Sequence, residues 1–506
     1  KGAYRETKLL EFRKHFDKIE IVVTNPRFYI DENSAINRSE GTNTSSAILA
    51  TIKIEAHDEK TGKYLVKVDP VLLSEAIHKV SPYPRPPVPG APPPPPRFEV
   101  GGLSKEKTKY AGIRSFPKNT DVVVEYVFDN PKPMAGGGSE ITDVRTVSIK
   151  MQHSFIEIPD NDFKSRRDDA RVGYFTQQVD DLSSDSWTPY RDVINRWHLV
   201  KKDPSAELSE PVEPIVWWIE NTTPVEWREV IAKATLEWNS AFEKAGFKNA
   251  IEVKVQPDDA DWEAGDIRYN VLRWTASPRP PFGGYGPSLA NPLTGQIIAA
   301  DVMLEYSFMK SRWLLEDLYT EGASMDGQLA NIPAELFCSA GHVMNNSLLA
   351  AKSIVSAAGG ADKDIKELKE QSLTWLILHE LGHTLGLNHN MKASQQFSAT
   401  DIHNAELTKG SIIGSVMDYP TLNLAPPGVT QGDYAASRPG DYDDWVIEYG
   451  YSTALDDAEA EEVRLSRILS RSTEPALAFG NDADDMRAPG LHIDPRVMIF
   501  DMSSDA

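Results

Sequence analysis

Hydrophobic and polar residues alternate along much of the first part of the chain. The alternating segments are rich in Ile, Val, Phe and Tyr and cover residues 19–23, 27–30, 47–54, 120–128 and 144–151. A period of two residues with this composition is typical of strands that bury one face. The pattern therefore predicts a β-rich N-terminal domain over residues 1–160.

Residues 81–97 within this domain are dominated by proline. Because proline has no amide hydrogen for a sheet ladder and disrupts helices, the composition predicts an extended polyproline II segment. We interpret this segment as a rigid surface spacer, and the alternative is a ligand for an aromatic groove on a partner. For the β-rich domain itself, the sequence is consistent with an inhibitory pro-region and with a docking module.

The pattern changes beyond residue 213, where strand and helix signals alternate. One long helix is clearly marked, because it begins with Thr223 and Pro224, has apolar residues at helical spacing and closes with Gly246. The predicted elements in chain order are a strand at 214–220, a helix at 224–245, strands at 250–255, 266–274 and 296–305, and a helix at 362–385. This order predicts an α+β fold.

These patterns divide the chain into four parts. Residues 1–160 are the β-rich domain, and residues 214–455 are the α+β domain. The charged and polar residues 161–213 are predicted to be a connection between them. Residues 456–506 are predicted to be a C-terminal extension that is truncated.

Composition and charge narrow the classes of function. The chain has 506 residues and a net charge of −22, from 53 Lys and Arg against 75 Asp and Glu. This acidic excess argues against binding to nucleic acid or to an anionic membrane surface, because both need clustered basic residues. No segment is apolar over the roughly 20 residues that a membrane span requires. The single cysteine, Cys338, excludes internal disulfides and any cysteine-rich zinc site.

One pattern points directly to chemistry. Residues 379–389 read H-E-x-x-H-x-x-G-x-x-H. Histidines four residues apart lie on one face of a helix, so His379 and His383 can bind the same metal ion. Gly386 permits the turn that brings His389 back to that ion. Three neutral imidazoles leave an open position for water, which is the composition expected of one catalytic zinc ion.

Glu380 lies next to the first histidine of this motif. A carboxylate in this position can reach a metal-bound water without binding the metal itself. It can accept the proton of that water and later deliver it to a leaving group. The motif therefore predicts hydrolysis by a zinc-activated water, with Glu380 as general base and general acid.

Two acidic clusters, residues 258–261 and 481–485, raise the question of a second metal. Such clusters can bind a calcium ion, but neither of them contains a complete calcium-binding loop. We interpret both clusters as solvated turns.

A second motif follows the third histidine by 417 − 389 = 28 positions, in the sequence Gly-Ser-Val-Met-Asp-Tyr-Pro at 414–420. Together with the zinc motif it resembles the Met-turn of the metzincin metalloproteases. The resemblance implies that Met417 lies beneath the zinc-bound histidines and is not a ligand. It also implies that the Tyr419 hydroxyl approaches zinc and helps to stabilise the tetrahedral intermediate, and a packing role for Tyr419 is the alternative.

The order of the segments also resembles the metzincins. The resemblance implies a β-rich N-terminal domain followed by a metzincin-like catalytic domain with a twisted mixed sheet, long helices, a zinc helix, a Met-turn and a closing helix at 441–451. In metzincins the strand before the zinc helix is the sheet edge that pairs with an extended substrate. The substrate-binding residues implied by this comparison are Gln296, Ile297, Ile298, Ala299, Ala300 and Asp301.

Most of residues 160–450 also resembles, more narrowly, a group of large bacterial zinc-dependent metalloproteases. Their protease domain is similar to the A subunit of a cholera-like toxin and follows a β-rich domain. The resembling stretches are 171–175, 196–206, 238–247, 285–288, 292–296 and 379–394.

The resemblance implies a zinc metalloendopeptidase that acts on protein or peptide substrates. It also implies a secreted or periplasmic location after removal of a signal peptide. The alternatives are a binding or adhesion protein with a vestigial zinc site, and a zinc hydrolase that acts on a non-peptide amide. The sequence leaves the oligomeric state open.

Overall fold

A computed structural model of the chain describes most of its residues. The described residues are 6–39, 45–80, 98–136, 141–276, 284–305, 351, 354–355, 361–426, 428–484 and 494–504. The predicted polyproline segment 81–97 and Cys338 lie outside them. The chain divides into two compact units, an N-terminal unit of residues 8–159 and a C-terminal unit of residues 160–506 together with 1–7.

The N-terminal unit is built almost entirely from antiparallel strands. Its strands are β1 (Leu9–His15), β2 (Lys18–Thr24), β3 (Phe28–Tyr29), β4 (Ala47–Asp58), β5 (Lys63–Val66), β6 (Gly102–Leu103), β7 (Lys109–Ser115), β8 (Asn119–Asp129) and β9 (Thr146–Ile156). Its described residues also contain one short α-helix, α1 (Asp69–Leu72). One sheet has the order β1-β2-β4-β5. In the other sheet, β8 pairs with β6, β7 and β9. The predicted β-rich N-terminal region is confirmed.

Each sheet of the N-terminal unit buries its own small core. Alternate residues of β8, among them Val122, Val124 and Tyr126, are buried together with Leu72 of α1. The neighbouring residue Val71 packs instead against the core of the first sheet. Consecutive residues of one short helix therefore contribute to two cores, as expected for a helix that lies between two sheets.

The C-terminal unit contains both strands and helices. Its strands are β10 (Thr176–Gln177), β11 (Asp180–Asp181), β12 (Val193–Ile194), β13 (Ile215–Ile219), β14 (Ile251–Val255), β15 (Asn270–Thr275), β16 (Gly284–Tyr285), β17 (Ser288–Ala290) and β18 (Ile297–Glu305). Its α-helices are α2 (Val225–Glu237), α3 (Asn239–Lys244), α4 (Asp362–Thr384), α5 (Ala405–Thr408), α6 (Asp441–Tyr451) and α7 (Ala458–Leu469). Within the described ranges, no helix is long and apolar enough to cross a bilayer.

The predicted elements of this unit correspond closely to the observed ones. Strands β13 and β14, helix α4 and helix α6 agree with the predicted bounds to within one residue at each end. The predicted helix over 224–245 is divided into α2 and α3 around Trp238. The hydrophobic periodicity predicted the positions of these elements correctly, because each of them buries one apolar face against a common core.

The main sheet of the C-terminal unit is mixed. Its order is β14-β13-β15-β18-β16, and β17 also pairs with β18. Strands β13, β14, β15 and β18 are parallel to one another, whereas β16 and β17 run antiparallel to β18.

This order corrects the expectation that residues 296–305 form the edge of the sheet. Strand β18 is an interior strand, with β15 on one side and with β16 and β17 on the other. The expectation failed because no strand was predicted in the Pro- and Gly-rich segment between residues 274 and 296. Its residues 284–290 instead form the two short strands that cover β18.

Helix α4 passes through the centre of the C-terminal unit, where most of its second half is buried. Its flank packs against α2, and the Trp238 indole donates a hydrogen bond of 3.1 Å to the Leu378 carbonyl. The carbonyls at the end of a helix have no partners within the helix. In α4, the Trp197 indole and the Tyr451 hydroxyl donate to the carbonyls of Thr384 and Leu385.

Two segments outside the predicted α+β domain contribute to the core that surrounds α4. Residues 161–213 are more than a connection, because Val172, Tyr174 and Ile194 are buried in the same core as α4. Residues 456–506 are more than an extension, because Leu477 and Val497 are buried in that core as well. Both segments belong to the C-terminal unit.

We expect the substitution Asp301→Asn to stabilise the protein at alkaline pH. Burial raises the pKa of Asp301 from 3.8 to about 7, and the charge of Arg273 lowers it only in part. A carboxyl group with a raised pKa stabilises the folded state below its unfolded pKa, and this contribution is lost as the pH rises through about 7. At about 1.4 kcal/mol per pKa unit, the loss amounts to about 4 kcal/mol.

Urea unfolding at about pH 4 and about pH 8.5 tests this expectation. Asparagine keeps the oxygen that accepts the Val271 amide at 3.0 Å, so Asp301→Asn should match the wild type in acid and exceed it in base. The control is Asp258→Asn, which removes an exposed carboxylate. Equal unfolding free energies of Asp301→Asn and wild type at the higher pH would contradict the expectation.

Candidate metal centre

Three histidines converge in the interior of the C-terminal unit. Helix α4 presents His379 and His383 one turn apart, and His389 follows the end of the helix. Their ligand atoms all lie within 4.8 Å of one another. Small side-chain movements bring such atoms to the separation of about 3.3 Å that a tetrahedral zinc ion requires. The structure therefore brings together the three predicted ligands.

The hydrogen bonds of the rings show which nitrogen of each faces the common centre. The Nδ1 atoms of His379 and His383 lie 2.8 Å and 2.9 Å from the carbonyl oxygens of Val416 and Leu387. A carbonyl only accepts, so each Nδ1 carries the hydrogen. The Nε2 atom of each neutral ring then presents its lone pair, as a metal ligand must.

The electrostatics of the cluster favour neutral rings. Burial, reinforced by His383 and His389, lowers the pKa of His379 well below its usual value. Burial, together with His389, lowers the pKa of His383 to about 3. Because zinc binds neutral imidazole, the donor set fits a zinc ion of the catalytic three-histidine type.

The third histidine reaches the cluster through a sharp turn at Gly386. The Leu387 amide donates to the Gly382 carbonyl and the Gly386 amide donates to the His383 carbonyl, each at 3.0 Å. These two bonds form a Schellman motif, in which the residue in the Gly386 position has a left-handed conformation. Its φ angle is +93°. The helix therefore ends where the chain must reverse toward His389.

A segment that was predicted to be a connection holds this turn from outside. The Phe175 amide donates to the Gly386 carbonyl at 2.7 Å, and the Asn388 amide donates to the Gly173 carbonyl at 2.9 Å. The Phe175 ring also lies 5.6 Å from the ring of His383. Residues 173–175 thus contact the metal centre directly, although nothing in their local pattern indicates it.

The Met-turn residues lie directly against α4. Met417 is fully buried, and its sulfur occupies the space that a side chain at Gly382 would need. Asp443 of α6 anchors this turn, because it accepts hydrogen bonds from the Ser415 hydroxyl at 2.6 Å and the Val416 amide at 2.8 Å. The position against Gly382 agrees with a floor beneath the histidines.

Tyr419 is buried beside the third histidine. Its hydroxyl lies 2.9 Å from Nε2 of His389, the nitrogen that faces the metal centre. The turn that carries Tyr419 is fixed by Asp418, which accepts the amides of Ala393 and Ser394 at 2.9 Å and 2.8 Å. A phenol hydroxyl is therefore held at the centre itself.

Glu380 is fully buried between α4 and the outer part of the sheet. A side chain at Gly284 would overlap the Glu380 carboxylate, and one at Gly286 would overlap the Glu380 carbonyl. The two glycines thus allow the segment 284–286 to pass close to Glu380. In the sequence, the only indication of this contact is the pair of glycines that precedes β18.

The predicted substrate-binding residues are placed differently. The short strand β17 pairs with Ile297, Ala299 and Ala300, and the Asp301 side chain accepts the Val271 amide. The Ile297 amide donates to the Arg196 carbonyl at 2.8 Å. These residues join strands of the sheet to one another and do not form its open edge.

Asp482 is a site residue that the sequence analysis did not identify. One of its carboxylate oxygens lies 2.9 Å from Nδ1 of His389. The acidic cluster around it was interpreted as a solvated turn. Its distance of 93 positions from His389 leaves no local pattern that joins the two.

We expect the substitution Gly386→Ala to destabilise the protein and to weaken zinc binding. A methyl group there would overlap the Asn195 carbonyl, in addition to the strain of a left-handed alanine. The left-handed backbone conformation of an alanine alone lowers the free energy of unfolding by about 1 kcal/mol. Gly428→Ala is a matched control, because its φ is +89° and nothing lies within 4 Å of the added carbon. Thermal unfolding and zinc titration should show a clearly larger effect for Gly386→Ala, and equal effects would refute this account.

Comparisons with known proteins agree with this site. Residues 361–506 match a family model described as Met-zincin. Residues 2–202 match a family model described as a domain of unknown function (DUF5117). No curated protein and no solved structure matches the chain. The Met-zincin match and the three-histidine cluster together support a metzincin, and with it a zinc-dependent peptidase.

Proposed function

We propose that the protein is a zinc-dependent endopeptidase that hydrolyses peptide bonds within extended protein or peptide substrates. The observation that carries the proposal is the convergence of three buried histidines beside Glu380, in a segment that matches Met-zincin. On family resemblance alone, we further propose that the protein is bacterial and is secreted or periplasmic.

The residues of the metal centre have separate roles in the proposed hydrolysis. A zinc ion held by His379, His383 and His389 would supply a Lewis acid and lower the pKa of water toward about 7. Glu380 accepts a proton from the attacking water and later transfers it to the nitrogen of the leaving amine. Its burial keeps the carboxylate out of bulk water, where its interaction with that proton would be weaker.

Tyr419 is proposed to stabilise the negative charge that develops on the substrate carbonyl oxygen. Since the Nδ1 atom of His389 carries the hydrogen toward Asp482, its Nε2 atom accepts, and the Tyr419 hydroxyl donates. Because a zinc-bound Nε2 has no second lone pair, zinc binding would free this O–H group for another acceptor at the centre. A donor oriented before the reaction stabilises a developing oxyanion without the cost of reorganisation.

Substrate binding is proposed at β16 and β17, in place of the residues on β18. Among the described strands, none pairs with the outer side of these two strands. Gly284 and Gly286 bring this part of the chain against Glu380. An extended peptide that adds to the sheet here would lie next to the general base, through main-chain hydrogen bonds that accept many sequences.

We expect Glu380→Gln to abolish peptide hydrolysis while zinc remains bound. The amide has the shape of the carboxylate but cannot accept a proton, and loss of a general base costs about 10²- to 10⁴-fold in rate. Hydrolysis of a fluorogenic casein measures the loss, and elemental analysis measures the zinc content. Chelation should inactivate the wild type reversibly. Unchanged hydrolysis by the zinc-loaded variant would refute the proposed mechanism.

We expect Tyr419→Phe to lower kcat by about 100-fold with little change in KM. The substitution removes one hydroxyl donor, and oxyanion donors contribute about 10²- to 10³-fold to kcat. Steady-state kinetics on a single peptide substrate separates the two constants. The control is Tyr190→Phe, which removes a hydroxyl from a side chain that is 64% exposed. If kcat stayed within twofold of the wild type, Tyr419 would have a packing role only.

A further inference from the structure

The third histidine differs from the other two in the group that holds it. The Nδ1 atoms of His379 and His383 donate to main-chain carbonyls, whereas Nδ1 of His389 donates to the carboxylate of Asp482. A charged acceptor forms a stronger hydrogen bond than a neutral carbonyl. It also raises the electron density on the opposite nitrogen of the ring, which improves that nitrogen as a ligand.

The exposure of the His389 and Asp482 side chains is compatible with a strong hydrogen bond between them. The His389 side chain is 7% exposed, whereas that of Asp482 is 43% exposed. The carboxylate can therefore remain hydrated on one side while it binds the buried ring on the other. The pair avoids most of the desolvation cost that a fully buried charge would carry.

A set of hydrogen bonds holds the chain next to Asp482 in place. We call residues 475–484 and 494–504 the C-terminal strap. The Met391 amide donates to the Gly480 carbonyl at 2.8 Å, and the Asn390 side chain bonds both Ala478 and Gly480, at 2.9 Å and 3.1 Å. These partners begin one residue after His389, so the strap follows the loop that carries the third ligand.

Further contacts attach the other part of the strap to the same loop and to the Met-turn. Lys392 forms an ion pair of 2.6 Å with Asp494, and the Met498 amide donates to the Met391 carbonyl at 3.1 Å. The Phe500 amide donates to the Tyr419 carbonyl at 2.9 Å. The strap is therefore bonded to residues 390–392, which follow His389, and to Tyr419 itself. These bonds restrict where the Asp482 carboxylate can lie.

We propose that Asp482 is a positioning residue for His389. Its carboxylate fixes the ring with the hydrogen on Nδ1 and the lone pair of Nε2 toward the metal, and it raises the affinity of the centre for zinc. The same lone pair accepts the Tyr419 hydroxyl when no zinc is bound. Because Nε2 has only one lone pair, a zinc ion would displace that hydrogen bond. The inference rests on the proposed zinc site.

The test compares zinc affinities of Asp482→Ala, Asp482→Asn and the wild type, by competition with a chromogenic chelator. We expect Asp482→Ala to lose about 10- to 100-fold in affinity, as is usual when the acceptor of a ligating histidine is removed. Asp482→Asn should lose less, because its amide oxygen still accepts from Nδ1. The control for the loss of one negative charge is Asp456→Asn, since the Asp456 side chain is fully exposed.

Two further measurements separate positioning from a structural role. Thermal unfolding of the metal-free proteins should give Tm values close to the wild type, whereas a merely structural role predicts a fall in Tm that parallels the fall in affinity. Nitrogen NMR of ¹⁵N-histidine-labelled metal-free protein should show one ring that loses its Nδ1–H tautomer in Asp482→Ala and keeps it in Asp482→Asn.

The possible results of these measurements distinguish a failure of the proposed zinc site from a failure of the proposed role of Asp482. If the wild type does not bind zinc, the proposed zinc site fails, independently of Asp482. If the wild type binds and both Asp482 variants bind within twofold of it, the positioning role is refuted. Equal losses in Asp482→Asn and Asp456→Asn would also refute it, because overall charge would then be the cause. Should Asp482→Ala fail to fold, Asp482→Asn decides alone, and an affinity within twofold of the wild type overturns the proposal.

Discussion

A single helix cannot direct three histidines at one point, and the rest of the C-terminal unit depends on this constraint. Helix α4 supplies His379 and His383, and the chain must then reverse to supply His389. The reversal needs a left-handed residue and neighbours that hold the turn closed. Gly386 provides the first, and residues 173–175 provide the second through two main-chain hydrogen bonds.

The buried position of the cluster imposes a second requirement. Each ring must have a partner for the nitrogen that does not face the metal, because an unsatisfied buried polar group costs free energy. The three acceptors come from distant parts of the sequence, namely Val416 before the Met-turn methionine, Leu387 at the end of the zinc helix, and Asp482 in the C-terminal strap. The orientation of the three rings therefore depends on tertiary structure far more than on the motif itself.

The clustering of the three histidines could be predicted from the sequence because their spacing is local. An interval of four residues on a helix places two side chains on one face, whatever the rest of the chain does. The same is true of Gly386, whose conformation follows from the end of the helix. Strand and helix positions were predictable for a similar reason, since each of these elements buries one face with a fixed period.

The features that the sequence did not predict depend on contacts between distant segments of the chain and not on local spacing. Sheet order depends on which strands meet in space, so the interior position of β18 was not visible in the pattern of residues 296–305. The segment 161–213 has little periodicity because it binds the turn mainly through main-chain groups, which every residue carries. Asp482 lies in a cluster of acidic residues that is common on protein surfaces. Its significance arises only from its position beside His389.

The two family matches support the view that the metal centre is composite. The Met-zincin match begins at residue 361 and extends through the C-terminal strap, which the sequence analysis had placed outside the α+β domain. The second match ends at residue 202, beyond the N-terminal unit and beyond residues 173–175 that hold the Gly386 turn. Each matched region thus contributes contacts that the third histidine requires. A fragment that contained only residues 214–455 would keep the whole motif and lose both sets of contacts, so the motif is necessary for this arrangement but does not by itself define the structure that maintains it.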